Sequence, residues 1–341
     1  MGIGRAQGFD VGIVAGAIVS GAYFGDKMSP LSDTTILASS ISETPLFTHI
    51  RYMMWTTIPA ITITLAIFVV LGINHEVQSV EQMTLISSGL NEKFNISPLV
   101  FAVPVLTVGM VVLRMPSIVA LFLSTMLAAV FALFFQNDVL KEVVSGAGAV
   151  KGVVKALYGT ISFSFEDKIL AELTGSSGMA GMLNTVWLII CAMVFGGVMK
   201  ACRMIESITQ FFMRMIRGRT SMVSMTVASG TFFNLVLADQ YLSILVTGNM
   251  YAPIFKGKGY RSRLLSRTIE DSVTVTCPLI PWSTCGMTQA TMLNVPTMVY
   301  FPYSFFNILC PVLSIAIAAL GIGIKRVNME LKSVTHDVRG F

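Results

Sequence analysis

The sequence predicts an all-α polytopic membrane protein, and three observations carry that prediction. Hydrophobic residues fill 54% of the 341 positions and charged residues only 12%, about half the charge of a soluble domain. Mean hydropathy is +0.75. The apolar residues also fall in runs of about 20, the length a helix needs to cross the hydrocarbon core. Some runs are clean and others are broken by Pro, Gly and charge. Together they predict about seven membrane crossings, with two antiparallel broken helices and one re-entrant hairpin. The 22 Met, 22 Phe and 28 Gly residues suit close helix packing in lipid.

The elements follow in chain order. Residues 9–42 are apolar from Val11 but interrupted around Gly25 to Pro30, which predicts a broken helix. Clean spans are expected at about 51–73, 97–113 and 116–135. The stretch 136–180 is polar and Gly-rich, and reads as an extracytoplasmic loop with short helices on its surface. A further span is expected at 181–200. In 201–219, Arg203, Arg214, Arg217 and Arg219 alternate with Ile205, Ile208, Phe211, Phe212 and Ile216, the pattern of an amphipathic segment lying on the cytoplasmic surface. Residues 220–250 are apolar but broken by Gly230, Asn234, Asp239 and Gly248. A second broken helix is expected at 272–294 and a last span at 297–324, followed by a cytoplasmic tail, 325–341.

Charge sets the direction of these elements. Basic residues gather at Arg51, Arg114, between Lys200 and Arg219, between Lys256 and Arg267, and in the tail. The positive-inside rule places these groups in the cytoplasm. Arg5, Lys93, Lys141, Lys151, Lys155 and Lys168 then lie outside, and Lys27 lies within the membrane. Both flanks of 220–250 are basic, so this segment must enter and leave on one side. A single long span would strand one cluster outside. A re-entrant hairpin is tolerated at membrane depth where it is buried in protein or lines a water-filled cavity. The two broken helices then run in opposite directions, as in an inverted-repeat transporter. Their sequences agree: Ser29-Pro30-Leu31-Ser32-Asp33-Thr34 and Cys277-Pro278-Leu279-Ile280-Pro281-Trp282-Ser283-Thr284 share a small residue, Pro-Leu and a hydroxyl-rich step.

Candidate chemistry sits at these interruptions. In the first half it comprises Asp26, Lys27, Ser29, Ser32, Asp33 and Thr34. Pro30 breaks helix hydrogen bonding and frees carbonyls, and Asp33 is placed to cap the next half-helix. Carbonyl, carboxylate and hydroxyl oxygens suit Na⁺ or Li⁺. A carboxylate held away from water can bind either a proton or a metal cation, the simplest device for exchanging the two. Read alone, the same residue types describe a surface loop. The second half supplies Asn234, Asp239, Gln240, Asp271, Ser283 and Thr284. Asp239 is flanked by Phe232, Phe233 and Leu235 to Leu237 before it and Leu242 to Leu245 after it, and an acid in such surroundings is a functional hypothesis by default. The competing structural reading has Asp239 capping the hairpin turn or pairing with Lys27. For Glu270 and Asp271 the rival is an interfacial salt bridge to Arg261, Arg263 or Arg267. Asp33 and Asp239 are the expected Na⁺ ligands.

Other features carry less. His49, His75 and His336 read as interfacial or tail residues. The five cysteines show no metal spacing and read as small buried hydrophobes. No nucleotide-binding, zinc-protease or other cofactor motif is present, so neither enzyme chemistry nor a cofactor is expected. The net charge of +5 is explained by topology and not by a nucleic-acid partner.

The stretches Ser20 to Thr35, Leu237-Ala-Asp-Gln-Tyr-Leu-Ser243 and Glu270 to Gly286 closely resemble the signatures of the NhaC family of Na⁺/H⁺ antiporters, and the resemblance covers nearly the whole chain. It implies a cell-membrane secondary transporter, within a family range that includes Na⁺/H⁺ exchange and malate/sodium-lactate exchange. By matching position it points to Asp26, Asp33, Asp239, Ser283 and Thr284. The expected partners are Na⁺, H⁺, the bilayer and, in the alternative reading, an organic anion. Members of the family carry further membrane segments ahead of the first motif. The resemblance therefore implies an incomplete inverted repeat, with a homo-oligomer or a complementing N-terminal fragment as a further partner.

Overall fold

The computed structural model describes residues 1–30, 32–73, 80–113, 115–146, 148–163, 165, 170–171 and 174–324. The expected tail 325–341 and the residues Arg114, Lys168, His75 and His336 lie outside the described residues. The main helices in chain order are α1 (Val11–Met28), α2 (Asp33–Ile41), α3 (Leu46–Ile73), α4 (Val80–Lys93), α5 (Ala102–Val112), α6 (Ser117–Phe135), α7 (Asn137–Val143) and α8 (Ala149–Tyr158). They continue with α9 (Leu183–Ala201), α10 (Met204–Arg214), α11 (Arg219–Leu237), α12 (Gln240–Gly257), α13 (Ser262–Ile269), α14 (Thr284–Leu293) and α15 (Phe305–Leu320). The described residues contain no β-strand beyond one isolated antiparallel bridge, Ile161 to Ser176.

Among the described residues, four helices are long and apolar enough to cross a membrane: α3, α6 from Ile118, α9 and α11. Two bent pairs raise the number to six if each counts as one span. The end of α4 with Pro98–Met110 turns by 95°, and Thr297–Tyr303 with α15 turns by 55°. The α4 helix has no apolar run in the sequence and is not foreseen by hydropathy. The amphipathic pattern of 201–219 becomes α10, and the polar stretch 136–180 contains α7 and α8.

The chain forms two compact units. One comprises Met1–Asp10 and Glu76–Asn184. Inside it, Thr107 of α5 and Ser124 of α6 share a hydrogen bond of 2.9 Å, and Lys93 reaches Glu142 at 2.5 Å. The other comprises Val11–His75 and Thr185–Phe341, and it holds every candidate site residue. Its core is built from α11, α12 and α13, where Met222, Phe233, Leu237, Ile244, Tyr251, Phe255, Leu264 and Ile269 are all buried. Helices α11 and α12 fold back on each other through Ala238 and Asp239. Ala238 ends α11 in the left-handed conformation (φ 53°), and Asp239 starts α12 by accepting a hydrogen bond from Leu242 N at 2.8 Å, a short polar N-cap satisfying an orphan donor. Ser229 Oγ meets Tyr251 Oη at 3.0 Å across the pair. The second arm continues to Gly257, beyond the expected end at 250.

Candidate functional site at two helix breaks

Each broken segment stops and restarts for a local reason. In the first, α1 ends at Met28, Ser29 N donates to the Asp26 carbonyl at 3.1 Å, and Pro30 cannot continue the ladder. The helix resumes at Asp33 with Ser32 as its N-cap residue. Asp33 therefore stands in the first turn and not at the cap, where its charge still complements the helix dipole. In the second segment, α13 widens into a π-helical turn over Glu270–Thr274 and tightens into a 3₁₀ turn over Cys277–Leu279. It restarts at Thr284, where Ser283 Oγ accepts from Gly286 N at 2.9 Å and donates to the Cys277 carbonyl at 2.6 Å. A Cβ added at Gly286 would lie 2.0 Å from the Ile280 carbonyl oxygen, so only glycine permits this tight re-entry. Asn234 donates to the Val273 carbonyl at 2.7 Å and Asn307 to the Val275 carbonyl at 2.8 Å. These amides satisfy carbonyls on either side of Thr274, at the end of the π-turn.

The hairpin tip sits on the second break. Thr284 N donates to the Ala238 carbonyl at 2.8 Å, Trp282 Nε1 to the Leu235 carbonyl at 2.8 Å, and Cys285 Sγ to Gln240 Oε1 at 2.6 Å. The two broken segments run in opposed directions, since Tyr23 lies beside Cys285 and Cys277 while Lys27 lies beside Asp271.

Two polar layers result. The first lies at the breaks. Thr34 Oγ1 donates to Asp26 Oδ2 at 3.2 Å and pairs with Ser32 Oγ at 2.9 Å. Asp26 and Asp239 are half-buried and Asp33 is exposed. All three carboxylates lie within Coulombic reach of Tyr241. Among the described residues, no three His, Cys, Asp or Glu side chains converge as a metal-ligand cluster. A cation held here would take hydroxyl and carbonyl oxygens beside the carboxylates.

The second layer is fully enclosed. Lys27, Arg267, Glu270 and Asp271 have no exposed surface. Lys27 Nζ is ion-paired with Asp271 Oδ1, to which Thr56 Oγ1 also donates at 2.9 Å. Arg267 Nε stands 3.6 Å from Asp271 Oδ2 without a hydrogen bond, and its guanidinium lies 4.9 Å from the Tyr52 ring centre. Glu270 has no hydrogen-bond partner on either oxygen. The Thr274 hydroxyl lies alongside it, in a geometry that makes no hydrogen bond.

These positions correct several expectations. Lys27 pairs with Asp271 and not with Asp239, whose carboxylate instead caps the hairpin's second arm. Asp271 is a buried partner of Lys27 and Arg267, not an interfacial acid, because the π-turn carries it inside. His49, expected at the interface, is buried inside the protein, with Nδ1 2.8 Å from Ser266 Oγ. Cys277 and Cys310 are buried and Cys285 half-buried, but Cys191 and Cys202 are exposed. Asn234 and Ser283, expected as ligands, spend hydrogen bonds on backbone at the second break. The structure adds Glu270, Thr56, Tyr23 and Cys285 to the neighbourhood. The adjacent acids Glu270-Asp271, followed at once by Val273 and Val275, are the one sequence signal that pointed to the first of these.

Comparison with known proteins agrees on the class. The Na⁺/H⁺ antiporter family matches residues 21–322. The Na⁺/H⁺ antiporter NhaC of Alkalihalophilus pseudofirmus is 33% identical over 96% of this chain and 69% of that protein. The Na⁺/H⁺ antiporter NhaC of Bacillus subtilis is 32% identical over 93% and 68%. The malate-2H⁺/Na⁺-lactate antiporter of Bacillus subtilis is 29% identical over 89% and 64%. No solved structure matches the chain significantly.

Proposed function

Because the chain belongs to the Na⁺/H⁺ antiporter family, we propose that this multi-pass membrane protein exchanges Na⁺ for H⁺ through the carboxylates at its two helix breaks. It is a secondary transporter and not an enzyme. The observation that supports the site assignment is that Asp26, Asp33 and Asp239 all lie within Coulombic reach of Tyr241, beside the first break and the hairpin tip. Partly accessible carboxylates beside hydroxyls can take up a cation or a proton in turn. Asp33 and Asp239 are the proposed Na⁺ ligands, with Ser29, Ser32, Thr34, Gln240 and Thr284 as neighbouring oxygens.

The proposed mechanism is alternating access about these breaks. Ser32-Asp33 and Ser283-Thr284 restart their half-helices in matching ways, which supports an inverted-repeat relation between the two segments. Each bent or broken segment counts as one crossing and α11–α12 as a re-entrant hairpin, which gives about seven crossings. The basic clusters place the C-terminus in the cytoplasm. Replacing Asp33 or Asp239 by Asn should abolish Na⁺-dependent proton flux in vesicles, and wild-type flux in both variants would refute the assignment. An organic-anion substrate, such as the malate in that relative's name, needs a positive host. Lys27 is already neutralised by Asp271, which favours the cation reading. Uptake of labelled malate, with and without internal lactate, separates the two.

A further inference from the structure

We propose that the N-terminal end of α3 carries a binding site for the phosphodiester headgroup of an anionic phospholipid. Two cavities meet there, of about 500 and about 470 Å³, and both are lined by Thr48 and Arg263. The first adds Lys256, Arg261 and Glu43, and the second adds Arg51 and Trp55. The charges do not cancel. Glu43 is paired with Lys256 at 2.8 Å, while Arg51, Arg261 and Arg263 have no carboxylate partner among the described residues. Arg263 is oriented by the Tyr52 ring, 4.7 Å from its guanidinium carbon. That contact holds the fork in place without using its donors, and a planar fork of donors is the geometry that recognises phosphate.

The position of these cavities on the helix selects the source of the phosphate. Phe47, Arg51, Trp55 and Ile58 recur at helical spacing along one face of α3, and Phe47, Trp55 and Ile58 are 70%, 52% and 49% exposed. The order along this face is aromatic, cation, aromatic, then aliphatic, and the helix is apolar from Ile58 to Ile73. Aromatic rings and arginine mark the headgroup level of a bilayer. A lipid whose phosphate sits between Arg51 and Arg263 would therefore lay its acyl chains along Trp55 and Ile58. A free phosphate would gain nothing from that apolar strip. Basic pockets at the ends of membrane helices are a known physical means of holding anionic headgroups.

The test reconstitutes the whole chain in nanodiscs of phosphatidylcholine and phosphatidylglycerol in equal amounts, and counts retained lipids by native mass spectrometry. The wild-type chain should retain phosphatidylglycerol in preference to phosphatidylcholine. R51Q/R263Q should lose that preference about thirtyfold, given the contribution of each basic residue near an anionic surface. R261Q, a change at the exposed rim, should lose it about fivefold. R217Q, in an exposed cation far from these cavities in sequence, should behave as wild type. Unfolding midpoints in pure phosphatidylcholine should be equal for all four proteins. An unchanged lipid preference in both R51Q/R263Q and R261Q would overturn the proposal. So would displacement of the retained lipid by millimolar inorganic phosphate, since the site would then take the free anion.

Discussion

Both polar layers of the larger unit contain aspartate and threonine, and they treat the aspartates in opposite ways. At the helix breaks, Asp26, Asp33 and Asp239 remain partly accessible, and their partners are neutral hydroxyls and backbone amides. In the enclosed layer, Asp271 is held by Lys27, Thr56 and Arg267 with no access to solvent. An acid already satisfied by a buried cation has little left to offer a transported ion. An acid facing hydroxyls and an open break can exchange its occupant. The proposed function therefore gives ion exchange to the first layer and leaves to the second the joining of α1, α3 and the π-turn.

The comparison can be broken most severely at Asp271. Asp271→Leu removes the ion-pair partner of Lys27 and Arg267 inside the protein, and should cost about 3–5 kcal/mol, read as a lowered unfolding midpoint in detergent. Lys27→Met/Asp271→Leu should recover part of that loss, because the paired charges disappear together; a double variant no better than the single would refute the pairing. Gly286→Ala should cost about 1–3 kcal/mol through the clash with the Ile280 carbonyl. Its effect on flux should exceed its effect on stability, since it displaces Thr284 from the hairpin tip. Asp239→Ala should cost about 1 kcal/mol as a lost helix cap. Asp239→Asn should retain the cap and lose the flux, and this divergence separates the capping role from the transport role. Glu270→Gln should change the unfolding midpoint least, because neither carboxylate oxygen makes a hydrogen bond. Na⁺-dependent proton flux should persist in this variant, because Glu270 lies in the enclosed layer; loss of flux would contradict the division between the two layers.

Hydropathy is sufficient to read α3, α6 and α9, because a lipid-facing helix must be apolar around most of its circumference. The breaks are legible from Pro30, Gly25 and the Pro278 to Pro281 stretch, since proline removes donors wherever it stands. The hairpin tip is legible from Asp239 amid apolar neighbours. The α4 helix is not, because it has no apolar run for hydropathy to detect. Nor is the enclosed layer: Lys27 and Asp271 lie 244 positions apart, and only tertiary packing decides which acid a buried lysine meets. His49 and Thr56 were hidden for the same reason, as their sequence neighbours resemble those of any interfacial turn. The backbone bonds of Asn234 and Ser283 are not legible either, because a polar residue near a break can serve a backbone carbonyl as well as an ion.

The most direct test of this division of labour is Na⁺-driven proton flux in vesicles containing Asp33→Asn or Asp239→Asn, with unfolding midpoints measured in parallel. Flux should fall to background in both variants while the midpoints stay within experimental error of the wild type. Wild-type flux in both would contradict the assignment of ion exchange to the carboxylates at the breaks.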